Sequence, residues 1–262
     1  MRSILFLSLL SSFAMGWTHV GNNIRGWKNR TVTVYVNASN CPISESQLNE
    51  IVDTAISVWN GVTDSSLVIK RGVSTASVGE FLAKSTTELP VILCDPNFSA
   101  QVGGASINVV PAATFSIDTD ENGNINYSGI LLNAESGAGA NISLLTEGQV
   151  ELTLAHEMGH ALGLGHSSQK EALMYYSLGT KQQALLTEDD LDGIIQMYPR
   201  NEFTGGMMGC SSVYFSPTKQ KSFLQYSGGV TCLLLWVLVF YWGRTQIKIF
   251  SSARFIKPEP PL

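Results

Sequence analysis

The spacing of apolar residues changes several times along this chain, and each change marks an expected element. Residues Thr31 to Val36 (TVTVYV) alternate β-branched and aromatic types and read as a strand. Leu48, Ile51, Val52, Ala55, Ile56 and Trp59 then recur at helical spacing, so a helix here lays one face on a core. Ser44 with Gln47 forms a capping box at its start, and Ile43 is placed to staple onto Leu48. Further strands are expected at Ser66 to Ile69, Pro90 to Cys94, Ser106 to Val110 and Asn126 to Leu132. A second helix opens at Thr146, with Gln149 as capping partner, and runs to Gly163, a natural terminator. A third opens at Thr187 and is expected to bury Leu191, Ile194, Ile195 and Tyr198 before Pro199 closes it.

The two ends follow other patterns. Arg2, the apolar run Ile4 to Leu10 and the small-residue pattern Ala14-Met15-Gly16 read as a secretory signal peptide over residues 1–16, with a buried first element as the alternative. The folded domain is expected over 17–200, followed by a Gly/Ser/Met-rich linker over 201–229. An apolar segment, 230–243 (VTCLLLWVLVFYWG), precedes a basic tail, 244–262, carrying Arg244, Lys248, Arg254 and Lys257. A membrane anchor reaches the required ~20 residues only by counting back to Phe223, so a tail processed during export and a buried helix stay open beside it.

Composition narrows the class. With 44% hydrophobic and 14% charged residues in 262, the chain is globular, with room for one well-cored domain. A net charge of -5 without a basic run leaves no footprint for nucleic acid, and the notable charge cluster is Glu188-Asp189-Asp190. Export favours disulfides; of four cysteines, Cys41 and Cys94 fall inside the domain and are expected to bridge, while Cys210 and Cys232 are left without an assigned pairing. Five glycosylation sequons occur, at Asn29, Asn37, Asn97, Asn126 and Asn141. The segment Asp118 to Asn124 has two readings: Asn122-Gly123 signals a hairpin turn, and Asp118, Asp120 and Asn122 resemble the start of a calcium loop. Gly129 stands where such a loop supplies its bidentate glutamate, which favours the turn.

The chemistry is concentrated in residues 156 to 166, HEMGHALGLGH. His156 and His160, four apart on a helix, share one face and give two metal ligands from one rigid element. Gly163 permits the sharp turn that returns His166 as a third ligand, which leaves one position of a zinc ion open for water. Glu157 is placed to take a proton from that water and deliver it to a departing amine. Three of four histidines fall in this stretch; His19 receives no role.

This motif, with Ala172-Leu173-Met174-Tyr175 after it as a Met-turn, resembles the metzincin pattern. Ser167 after the third histidine and the closing helix LTEDDLDGIIQMYP make the chain similar to matrixins over roughly 27 to 199. The resemblance implies an α+β fold, a twisted and mostly parallel sheet with one antiparallel edge strand, three helices and a small C-terminal subdomain flanking a zinc cleft. It implies that Asn126 to Ala134 is the edge strand aligning substrate, and that Met174 lies beneath the metal. The implied activity is a monomeric zinc endopeptidase acting on extracellular protein or peptide. Three departures stand out: no further histidines for a structural zinc, no cysteine between Trp17 and the first strand to block the metal, and Tyr176 where the family has proline.

Overall fold

The computed structural model describes residues 16–21, 24–102, 107–179 and 181–200. The expected signal peptide (Gly16 apart), linker, apolar segment and basic tail, with Cys210 and Cys232, lie outside the described residues. Among those described, no helix is long and apolar enough to cross a membrane.

Five strands form one sheet in the order β2-β1-β3-β5-β4. They are β1 (Thr31–Asn37), β2 (Val68–Val73), β3 (Val91–Asp95), β4 (Ala112–Thr119) and β5 (Ile125–Asn133). β1, β2, β3 and β5 run parallel, and β4 pairs antiparallel with β5 at one edge. Among the described residues four α-helices accompany them: α1 (Glu45–Asn60), a short α2 (Val78–Leu82), α3 (Glu147–Ala161) and α4 (Glu188–Met197).

β3 is buried along its whole length because both faces of the sheet are covered. Ile92 and Cys94 join a large core with the helices, while Val91 and Leu93 join a second cluster around Phe81, Phe98 and Tyr127. α1 buries the six residues its periodicity marks, and Ser44 and Gln47 form the full capping box. Trp59 anchors α1 to α3, donating from Nε1 to the Ala155 carbonyl at 2.9 Å with no exposed surface. Cys41 and Cys94 are bridged, tying the segment before α1 to β3.

Three expectations are corrected. The strand expected at Ser106 to Val110 is absent from its described part, 107–110: residues 107–109 form turns, Asn133 Nδ2 donates to the carbonyls of Ile107 and Val110, and the strand begins after Pro111. Asn126 to Ala134 is not the edge, because β5 lies between β3 and β4; β4 holds the edge. In α4, Ile194 and Tyr198 are buried as expected, but Leu191 and Ile195 are half-buried and the inward face is Asp189, Asp190, Gly193, Ile194 and Met197.

The Asp118 to Asn124 segment is a hairpin connection. Asp120 accepts from the backbone N–H groups of Asn122 and Asn124 and from Asn124 Nδ2, and Asp118 pairs instead with Lys84. Both carboxylates are engaged within the fold, which matches the turn reading.

The disulfide closes a loop spanning 53 positions. Replacing both cysteines by alanine is expected to cost roughly 4 kcal/mol by loop-closure entropy. Urea unfolding measures this, and an unchanged midpoint and slope would show that the bridge contributes nothing.

Candidate metal centre

α3 presents His156, Glu157 and His160 because its start is fixed by the Thr146–Gln149 capping box and its body is buried against α1 and the sheet. The His156 and His160 rings lie 4.8 Å apart, as one-turn spacing requires. The chain leaves the helix at Gly163, where φ is +110°. That conformation calls for glycine, and a Cβ there would also press on the Met197 methyl group. Past this turn His166 comes back over the helix, and one nitrogen from each ring falls within 4.8 Å of the others. This cluster could hold a metal ion.

Hydrogen bonds select the ring tautomers. His156 Nδ1 lies 2.7 Å from the Leu173 carbonyl and His160 Nδ1 lies 2.7 Å from the Leu164 carbonyl. A carbonyl only accepts, so each Nδ1 carries the proton and each Nε2 keeps its lone pair for a cation. His160 Nε2 and His166 Nε2 approach to 3.2 Å, a separation that a shared cation accommodates. Burial depresses His156 to about 4, against the opposing pull of the Leu173 carbonyl, with the charges of His166 and Lys181 lowering it further. Burial likewise depresses His160 to about 3. Both rings are therefore neutral at physiological pH, the form that ligates metal.

Glu157 behaves in the opposite sense. Burial pushes its carboxyl up to about 7, against hydrogen bonding from Thr114. The Thr114 hydroxyl lies 2.8 Å from Glu157 Oε2 and 2.9 Å from the Glu157 carbonyl, so its one proton serves one of them at a time. Thr114 sits on β4 and links the sheet edge to the helix that bears the ligands.

The Met-turn forms the floor. Met174 is almost wholly buried, and a Cβ on Gly159 would lie 2.3 Å from its sulfur, so glycine between the ligand positions lets the methionine pack under them. Asp190, 1% exposed, fixes this turn by accepting from the backbone N–H of Leu173 at 2.8 Å and of Met174 at 2.9 Å, while also taking both Thr187 donors. Asp189 accepts from Ser167 Oγ and Gln169 Nε2 beside the third histidine.

The residues singled out in the sequence thus come together: His156, His160, His166, Glu157 and Met174 share one region. Sequence reasoning missed Thr114, Asp189, Asp190 and the N-terminal segment. That segment runs beside the loop after α3, where His19 bridges to Leu164 and Thr18 Oγ1 donates to the His166 carbonyl. A signal for Asp190 did exist, since it falls in helical register with Ile194 and Met197, an acidic residue on an otherwise inward stripe.

Two cavities flank Glu157. One, of about 440 Å³, is lined by His156, Glu157, Leu152, Thr153, Tyr176 and Lys181 among others. The other, of about 560 Å³, is lined by His19, Thr114, Ile117, Glu157, His160 and His166 among others. β4 residues Ala112 and Val110 before it border both, so the sheet edge runs the length of the cleft.

Comparison with known proteins agrees with this geometry. Residues 98–199 match the matrixin family model for peptidases. The chain is 29% identical over 178 residues to metalloendoproteinase 2-MMP of Arabidopsis thaliana, covering 66% of this chain and 43% of that protein. It is 26% identical over 182 residues to human matrix metalloproteinase-27, covering 68% and 31%. It is 47% identical over 53 residues to metalloendoproteinase 1-MMP of A. thaliana, covering 20% and 15%. The matched part of the chain spans less than half the length of these relatives.

The role of Asp190 is testable. Asp190→Asn would turn an amide N–H toward backbone donors, and zinc affinity is expected to fall roughly 10- to 100-fold, the usual effect of losing a group that orients ligands. Competition with a chromogenic chelator reads this directly; unchanged affinity would remove Asp190 from the account of the site.

Proposed function

We propose that this matrixin-like chain is an exported zinc metalloendopeptidase that hydrolyses peptide bonds of extracellular proteins. The observation that carries the reading is the position of Glu157: its side chain lines both cleft cavities, one shared with His156 and the other with His160 and His166. A substrate lying across the cleft therefore passes over a carboxylate and a cluster of neutral imidazoles at one point.

Three neutral imidazoles are the donor set of a catalytic zinc site, in which a fourth position stays open to the cleft. His156, His160 and His166 would hold the ion, which when bound supplies a Lewis acid that acidifies water and polarises a carbonyl. Glu157 then acts on protons: its carboxylate accepts one from the attacking water and passes it to the departing amine. Its raised position, about 7, suits both halves of that task. Thr114 steadies the ionised form and aims Oε2.

β4 supplies the docking line. One side pairs with β5, and the other borders the cleft, where a peptide can pair by backbone hydrogen bonds as an added strand. Pairing antiparallel to β4 places the N-terminal half of the peptide by Thr114 and Ile117, and its C-terminal half by Val109 and Val110. Export is supported by the Cys41–Cys94 bridge, since disulfides persist in oxidising compartments.

Glu157→Gln is expected to keep one zinc per chain and to cleave casein about 10²- to 10⁴-fold more slowly. Retained activity would rule out the proton-transfer role, and an inactive, zinc-loaded wild type would favour a metal-stabilised binding module. Thr114→Val removes a donor to the carboxylate, so the Glu157 pKa rises further and the acid limb of kcat/KM should move to higher pH. A pH–rate profile with an unmoved limb would contradict that coupling.

A further inference from the structure

We infer that Lys181 makes this chain prefer, immediately after the scissile bond, a substrate side chain that ends in a hydrogen-bond acceptor or a negative charge. The inference rests on the peptidase reading and deepens it. In a peptide paired antiparallel to β4, the residue after the scissile bond faces the 440 Å³ cavity beside His156 and Glu157. Leu145 and Leu152 give that cavity an apolar stretch, and Gln149, Thr153 and Lys181 give it polar groups. A long side chain with an apolar stem and a polar end fits such a lining.

Among the described residues Lys181 is the only Lys or Arg lining the cavity, and no described carboxylate forms an ion pair with it. The ammonium donates to the Lys170 carbonyl at 2.6 Å and lies 5.4 Å from the centre of the Tyr175 ring. Both partners are uncharged. An ammonium has three donors, so the carbonyl leaves two for a ligand. Among the described residues the ion pairs are Arg71 with Asp53 and Lys84 with Asp118, and neither involves Lys181. Glu171 shares a neighbouring cavity with Lys181 without pairing with it. Glu157, the one carboxylate among the described residues of the same cavity, accepts from Thr114. A glutamyl or glutaminyl end group would meet an unpaired cation in a partly enclosed wall, whereas a lysyl end group would bring a second positive charge beside the first.

The test uses the zinc-loaded full chain and four peptides that differ only in having Glu, Gln, Leu or Lys after the cleaved bond, with mass spectrometry locating the cut. Wild type, Lys181→Met and Lys181→Glu are compared, each by its own ratio of kcat/KM between the glutamyl and lysyl peptides. The expected ratio is at least about tenfold in wild type, the scale of a hydrogen bond to a charged group. It should approach unity in Lys181→Met and invert in Lys181→Glu. The same ratio in all three, or a wild-type preference for the lysyl peptide, overturns the inference while the peptidase reading stands. Failure of wild type to cut any of the four peptides or casein overturns both.

Discussion

The hydrogen bonds that Asp190 accepts at the start of α4 fix the backbone on which two of the three clustered histidines rest. It accepts from Leu173 and Met174 in the Met-turn; the Leu173 carbonyl then takes the His156 Nδ1 proton, and the Met174 carbonyl takes the N–H of Ser167, next to His166. A buried carboxylate is costly unless its lone pairs are filled. Here two backbone N–H groups of the turn and both donors of Thr187 fill them, so the turn, the helix start and the ligand orientation stand or fall together. The orientation of the His156 ring thus depends on the contact between α4 and the 172–175 turn as well as on α3.

Burial acts on the cleft in two directions with one result. It depresses His156 and His160, because the charged form of imidazole is disfavoured away from water, and it raises Glu157 for the same reason. Neutral imidazoles can ligate a cation, and a carboxyl lifted toward neutrality can both accept and return a proton. One desolvated strip of α3 thus holds neutral imidazoles beside a carboxyl of raised pKa. The sheet edge contributes the correction: Thr114 on β4 hydrogen-bonds Glu157 and keeps its ionised form accessible.

Helical periodicity was the most legible feature of the sequence, for a physical reason. α1 turns one face to the sheet and α3 and the other to solvent, so its buried face and its apolar stripe coincide residue for residue. β4 is absent from the strands expected from the sequence because an edge strand has one paired side and a partly solvated face, and Ala112-Ala113-Thr114 carries little β-branched signal. The preceding Ile107 to Val110 has that signal, yet its carbonyls are taken by the Asn133 side chain rather than by a strand. α4 is half legible: its apolar residues mark a helix, while the acidic pair on its inward face reads in the sequence only as part of a charge cluster.

The sequence by itself determined the chemistry that is local: two histidines one helical turn apart, a glutamate beside the first, a glycine for the turn and a third histidine within its reach. Those relations depend on helix geometry and on one backbone conformation that glycine adopts freely, so spacing alone fixes them. Only the tertiary structure decided what depends on segments far apart in the chain. It put β4 rather than β5 at the edge, joined Thr114 to Glu157, seated Asp190 under the Met-turn and brought Lys181 to the cavity wall. These contacts arise from packing the sheet, α3 and α4 together; periodicity within α4 can mark Asp190 as inward-facing, but no pattern within one segment names the group it meets.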